Sequence, residues 1–380
     1  MKKIVILGAS DFQNPLILKA KELGFQTHVF AWRSGAIGEK TADVFHPISI
    51  AEKEKILEEC KKIQPDAITT IASDLGGSVA NYLNNQMGLT GNAPETSLIA
   101  SNKYEMRLTL KHAGIPTPGF VQVTANSPLD CIKDLKFPLI VKPTDRSGSR
   151  GVAQVNCAEE WLPAVRCACD QSFEHKAITE EFLSGQEYSC ECISFHGKHT
   201  FLALTKKYTT GFPHYIETAH IQPASLPEQQ QGLVQQTVFA ALDALKIQNG
   251  ASHTEIKIDE QGNIGIIEVG ARMGGDCIGS HLVPLSTGYD FVKMVIDVAC
   301  GTPPDLHPNA HYGASAIRFI YNEQDLQILE YIRKSYPEHL KYVSDISMGA
   351  ENEITDSASR FGFYIVACDS PEKAKSILNL

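Results

Sequence analysis

Two glutamates and an arginine carry the densest chemistry in this chain. Glu255 lies in the run His253-Thr254-Glu255-Ile256-Lys257-Ile258. Glu268 and Arg272 lie in Ile266-Ile267-Glu268-Val269-Gly270-Ala271-Arg272-Met273-Gly274-Gly275-Asp276. Apolar residues alternate on both sides of a Gly-containing turn at 259–263, which predicts a β-hairpin with one carboxylate on each strand. Paired strands bring such groups within a few ångströms of one another, where they repel unless cations sit around them. Oxygen-only ligands suit a hard cation, Mg²⁺ carried with a nucleotide phosphate (one or two ions, with Mn²⁺ as the alternative). Arg272 adds a planar anion donor. The plain alternative is a surface hairpin with solvated charges, so the other elements must decide.

The bulk properties narrow the field. At 380 residues, 43% apolar and 21% charged, the composition is that of a soluble globular protein of two or three domains. A net charge of −10 without a basic block argues against nucleic-acid binding. The start, MKKIVILGAS, reads as a first β-strand, because its apolar run is too short for a signal peptide and Asp11 follows at once. No apolar stretch reaches membrane-spanning length. Ten scattered cysteines fit free thiols in a reducing cytoplasm. Cys167-Ala-Cys169 and Cys190-Glu-Cys192 have C-x-C spacing and read as packing residues, with no metal.

Residues 1–95 alternate strands (3–7, 27–30, 67–71) with helices (15–23, 51–63, 76–85), which predicts a parallel sheet covered on both faces. Ligands in such sheets bind beyond the strand C-termini, at 8–11 and 73–76 here. The first turn lacks G-x-G-x-x-G, so a dinucleotide site is not supported. Residues 96–120 read as a connector with a helix at 103–112. Strands dominate 121–205 (139–142, 152–155, 177–181, 186–195, 198–207). Residues 206–380 hold a long helix at 227–245, the glutamate hairpin, a helix at 290–300 and a mixed α/β tail.

Several segments suit nucleotide chemistry. Pro138 to Pro143 is a strand that delivers Lys142 at its end, a point charge for phosphates. A Gly/Ser loop follows, with Ser147, Gly148 and Ser149, whose amides can cup phosphate oxygens. It is not a Walker A loop, since no G-K-[ST] closes it. Glu180-Glu181-Phe182-Leu183 links two strands, a place where a purine finds backbone partners and an apolar face, and Glu187 can hold ribose hydroxyls.

In order and spacing these parts resemble the ATP-grasp superfamily of carboxylate–amine ligases, relatives of biotin carboxylase and D-alanine–D-alanine ligase. The resemblance spans roughly residues 1–300. It implies an ATP-grasp architecture: an N-terminal Rossmann-like α/β domain and two α+β subdomains that clamp ATP. It also implies that Lys103 and Lys142 are nucleotide lysines, that 145–152 is the phosphate loop, that Glu180, Glu181 and Leu183 mark the adenine link and Glu187 the ribose, and that Glu255 and Glu268 bind Mg²⁺. Many members have Glu-x-Asn at the second metal position, where this chain has Glu268-Val269-Gly270.

Glu268-x-x-x-Arg272 followed by Gly274-Gly275 resembles a narrower group, the L-amino acid ligases that make dipeptides. That group carries a Glu-x-x-His element, matched here by Glu217-Thr218-Ala219-His220. The resemblance implies that Glu217 binds an α-ammonium, that His220 contacts the substrate carboxyl or phosphate, and that Arg272, with the Gly274 and Gly275 amides, stabilises an oxyanion. Either Lys206 or Lys207 reaches the phosphates, with Lys206 taken here. Asp276 is placed in the substrate pocket. The expected reaction joins an amino acid or other carboxylate to an amine through an acylphosphate. Alternatives are a carbamoyl-phosphate-synthase-like or biotin-carboxylase-like enzyme, and a non-catalytic nucleotide-binding regulator. A homodimer is the default expectation.

Overall fold

The computed structural model describes residues 1–148, 150–212, 215–349 and 359–380. Strands β1 (Lys3–Leu7), β2 (Gln26–Phe30), β3 (Val44–His46) and β4 (Ala67–Thr69) form a parallel sheet in the order β3-β2-β1-β4. The continuous apolar run of β1 suits a strand covered on both faces. Ile4 and Ile6 pack with Leu16 and Ile17 on one side, and Val5 and Leu7 with Ile56, Leu57 and Cys60 on the other. The helix Asp74–Met87 follows β4 and is capped by Ser73, whose hydroxyl accepts from the Gly76 amide at 3.0 Å. That cap holds Asp74 in the first helical turn.

A second, antiparallel sheet contains β5 (Phe120–Val123), β6 (Leu139–Pro143), β7 (Ala153–Val155) and β8 (Ala177–Glu181) in the order β5-β8-β6-β7. Strands dominate the sequence pattern at 121–205 and no helix is predicted there, whereas the structure has a helix at Ala158–Gln171 that buries Trp161, Val165, Ala168 and Cys169 against this sheet. Cys167 on the same helix is exposed while Cys169 is buried, so the pair points to different surroundings.

The third sheet has eight strands: β9 (Gln186–Phe195), β10 (Lys198–Thr209), β11 (Glu217–Gln222), β12 (Gly250–Ile258), β13 (Ile264–Gly270), β14 (Ala314–Ile320), β15 (Leu340–Val343) and β16 (Gly362–Cys368). Their order is β13-β12-β9-β10-β11-β14-β16-β15. Residues 186–205 therefore pair within this large sheet and not with the small one, whose last strand ends at Glu181. The C-terminal strands join through β14, which lies beside β11.

One face of this sheet is closed by the helix Glu228–Ala244: Cys190, Cys192, Leu204 and Ile256 pack with Val234, Val238, Ala241 and Leu242. The helix Phe291–Ala299 lies between the N-terminal and large sheets. Its Phe291, Val295 and Ile296 share a core with Ile4, Ile6, Ile193 and Ala251. That shared core fixes the turns after β1 and β4 relative to the glutamate hairpin. Phe291 is fully buried, so Phe291→Ala should lower unfolding free energy by about 3–5 kcal/mol. Urea denaturation measures this, and a loss below about 1 kcal/mol would contradict the joint.

Candidate active site

The large sheet sorts its residues by parity. Tyr188, Cys190, Cys192, Ile256 and Ile258 enter the core, so Glu187, Ser189 and Glu191 on β9 and His253, Glu255 and Lys257 on β12 face the other way. Strand pairing sets Glu191 opposite His253, Ser189 opposite Glu255 and Glu187 opposite Lys257. On the far side of β12, Glu255 stands directly opposite Glu268 of β13. The hairpin thus brings the two glutamates together on one polar face.

Lys207 is the hub of that face. Its ammonium is almost fully buried and lies 2.8 Å from Glu187, 2.5 Å from Glu255 and 3.4 Å from Glu217. Burial opposes its charge, but the carboxylates of Glu187, Glu255 and Glu217 outweigh burial and hold its pKa well above the usual lysine value. Lys206, the lysine taken from sequence, has the opposite parity. It shares a face with the core residue Leu204, its ammonium sits 5.2 Å from the Tyr208 ring, and it lines neither cavity described below. The lysine at the site is Lys207.

A cleft of about 220 Å³ runs between the small and large sheets. Lys103, at the start of the helix Lys103–His112, reaches Glu268 at 3.0 Å and the Arg146 carbonyl at 2.7 Å. Lys142 ends β6 and pairs with Glu180 at 2.7 Å. Glu180 is buried, and it is also gripped by Arg107 at 2.6 Å. Its carboxylate therefore orients Lys142, while the Glu181 carboxylate accepts from the Lys136 amide at 3.0 Å. Leu183, Phe182, Ile140 and Ile267 form the apolar walls, and Ser147 and Gly148 close one end. Ser149 lies outside the described residues, as do Pro213 and His214 of the loop before Glu217.

A second cavity, about 730 Å³, adjoins the first. Glu217 and His220 both line it. Residues three apart on a regular strand face opposite sides; here the pairing slips, with Tyr208 opposite Ala219 but Thr209 opposite Glu217. That irregularity turns both side chains to the cavity. Arg272 and Asp276 complete its inner wall, and Asp11, Phe12 and Tyr342 lie farther out. The two spaces meet at Asp74, Ser147, Gly148, Lys207, Glu217, His253, Glu255 and Arg272, which line both.

Arg272 forms a bidentate pair with Asp74, at 2.7 and 3.1 Å. This explains Gly270. A Cβ there would lie 3.3 Å from both the Arg272 guanidinium carbon and the Asp74 carboxylate, so the ion pair crowds any side chain at this position. The Gly274 amide is not free for an oxyanion, because it donates to Glu191 at 3.1 Å. Glu191 also holds His253 Nδ1. Burial alone would lower the His253 pKa, but the adjacent Glu191 carboxylate raises it to about 9, so the imidazole is charged at neutral pH.

The charges leave room for a cation. Lys103 with Glu268, His253 with Glu191 and Arg272 with Asp74 offset one another, whereas three carboxylates surround the single ammonium of Lys207. Among the described residues, no group of three or more His, Cys, Asp or Glu side chains forms a complete metal cage. Two facing carboxylates fit Mg²⁺, which takes one or two protein carboxylates and fills its remaining positions with phosphate oxygens and water.

Arg107, Glu191 and Arg360 are not among the residues singled out from the sequence, and Asp74 is included there only within the candidate ligand turn at 73–76. Arg107 had a signal, since it lies four residues after Lys103 on one helix face. Arg360 had none: it meets Glu217 across 143 residues of chain.

Residues 135–280 match the model of the ATP-grasp domain. A D-alanine–D-alanine ligase from Haemophilus ducreyi is 30% identical over 227 residues, covering 55% of this chain and 71% of that protein. The chain belongs to the ATP-grasp family. An alanine–anticapsin ligase from Bacillus subtilis is 28% identical over 301 residues, 70% of this chain but only 63% of the relative's length. The structure of an L-amino acid ligase from Bacillus licheniformis superposes with a TM-score of 0.83 at 22% identity, over 100% of this chain and 96% of the other, which establishes the shared fold. Among the described residues, no helix is long and apolar enough to cross a membrane.

The Glu180 cluster makes an acid-stability prediction. Burial would raise the Glu180 pKa, but Arg107 and Lys142 hold it down from 4.5 to about 2. A lowered pKa stabilises the fold fully above pH 4.5, and that contribution, on the order of 3 kcal/mol, is lost as pH falls from 4.5 towards 2. Glu180→Gln should lower stability at pH 7 by about 3–5 kcal/mol and flatten the acid limb of the stability curve. Parallel acid limbs in urea titrations of the two proteins would refute the assignment.

Proposed function

We propose that the protein is an ATP-dependent ligase that joins a carboxylate, an L-amino acid, to an amine through an acylphosphate. The products are an amide or dipeptide, ADP and phosphate. The observation that carries this reading is the junction of the two cavities, where Lys207, Glu255, His253 and Arg272 border both the lysine-lined cleft and the chamber lined by Glu217 and His220. The names of the D-alanine–D-alanine ligase and the alanine–anticapsin ligase among its relatives support it.

In this reading Lys103, Lys142 and Lys207 offset the triphosphate charge, Ser147 and Gly148 cup it, and Glu187 receives the ribose. Glu255 and Glu268 hold Mg²⁺, which would supply charge neutralisation for the phosphates when bound. Glu217 accepts the ammonium of the first amino acid, and His220 lies near its carboxyl. A carboxylate oxygen attacks the γ-phosphorus and ADP leaves. The amine lone pair then attacks the acylphosphate carbonyl, and phosphate departs. Arg272, aligned by Asp74, stabilises the negative oxygen that forms in that step.

A panel of amino-acid pairs with ATP and Mg²⁺ should release ADP and phosphate and give an amide identified by mass. ADP release without amide from any pair would overturn the reading. Glu268→Gln should abolish turnover, and Arg272→Ala should lower kcat by about 10²–10³-fold, with the fold retained by circular dichroism. Wild-type rates in either variant would refute the roles given to those residues.

A further inference from the structure

Arg360 comes from the segment just before β16, yet its guanidinium reaches into the chamber of Glu217 and His220. It forms a fork on Asp276 at 2.6 and 2.9 Å. Its Nε donates to the Tyr321 hydroxyl at 3.0 Å, and Nη2 lies 3.4 Å from Glu217. The plane rests 3.7 Å over the Phe319 ring. Tyr321 in turn donates to the Glu217 carbonyl at 2.8 Å, and Asp276 faces His220 Nε2 at 3.5 Å. One side chain thus ties together both members of the Glu-x-x-His element.

Arg360 makes its short contacts within the protein. Its fork is engaged by Asp276 and its Nε by Tyr321, so it has little left to offer a ligand directly. Glu217 is in the opposite condition. Among the described residues, its two oxygens have cations only at 3.4 Å, Lys207 on one side and Arg360 on the other, which leaves its lone pairs open to a third, closer cation. Removing Arg360 would leave Asp276 and Glu217 facing each other without the cation between them, and Asp276 would lose the anchor that aims it at His220.

We propose that Arg360 is a positioning residue of the amino-acid chamber: through Asp276, Tyr321 and Glu217 it sets the geometry in which Glu217 and His220 receive the α-ammonium and carboxyl of the first amino acid. This inference rests on the ligase reading for its substrate, and it gives the C-terminal segment a part in the site.

The test compares wild type, Arg360→Ala, Arg360→Lys and Asp276→Asn by steady-state kinetics with ATP, Mg²⁺ and a productive amino-acid pair, and by calorimetric titration with each amino acid alone. The expected result for Arg360→Ala is at least a tenfold rise in KM for one amino acid, with the KM for ATP within twofold of wild type. Arg360→Lys keeps the charge but loses the fork, and should recover part of that rise. Combining Arg360→Ala with Asp276→Asn should add less than the product of the single effects, because the pair acts as a unit. If Arg360→Ala does not fold, Arg360→Lys and Asp276→Asn carry the comparison. Amino-acid KM values within twofold of wild type in these variants, or equal losses for ATP and amino acid, overturn the positioning role and leave the ligase reading intact. A wild type that binds an amino acid but forms no amide, with binding weakened in the variants, overturns the ligase reading and supports the positioning role. A wild type that does neither overturns both.

Discussion

A buried lysine among three carboxylates is the constraint around which the site is arranged. An ammonium removed from water is costly unless paired, and Lys207 has Glu187, Glu255 and Glu217 within 3.4 Å. Those partners come from three strands, so the ammonium ties β9, β11 and β12 to β10 on their polar side, while the helix Glu228–Ala244 holds the apolar side. The arrangement also leaves more negative than positive charge at one point. That excess suits a divalent cation carried with phosphates, and it lies where the smaller cleft opens into the larger chamber.

Around this hub, each charged group of the proposed machinery is aimed by a second one. Glu180 aims Lys142, Asp74 aims Arg272, Glu191 aims His253 and Asp276 faces His220. Bidentate and buried pairs restrict side-chain motion more than exposed ones do, so the cost of preorganisation is met during folding. Gly270 and Gly274 belong to the same scheme: each lacks a side chain because a neighbouring ion pair fills the space it would need.

Much of this was legible in the residue pattern, for physical reasons. The alternation of Ile256, Ile258, Ile264 and Ile266 around a turn specifies a hairpin, and a hairpin places Glu255 against Glu268. The strand-end Lys142 and the loop after it follow from local composition. Lys207 was recoverable too, since Leu204 and Lys206 share a parity that leads into the core, but the shift in strand pairing near Phe201 and Ala203 blurs that pattern. Helix Ala158–Gln171 carries an internal proline, Pro163, which weakens a helical signal. The shared orientation of Glu217 and His220 depends on a slip in pairing, and Arg360 depends on tertiary approach alone. Neither has a local signature.

The two cavities draw on the chain differently. The smaller cleft takes most of its lining from residues 135–280, the span of the domain match. The chamber beside it is walled by Asp11 and Phe12 near one end of the chain and by Tyr342, Arg360 and Phe363 near the other, with Phe363 stacked between Phe12 and Tyr342. The cleft is thus built largely within one stretch of the chain, whereas the chamber shares its inner wall with that stretch and takes its outer wall from both flanks. Those five outer side chains border the chamber and leave the cleft untouched, so the shape of the larger space can be changed from either flank while the smaller one stays as it is.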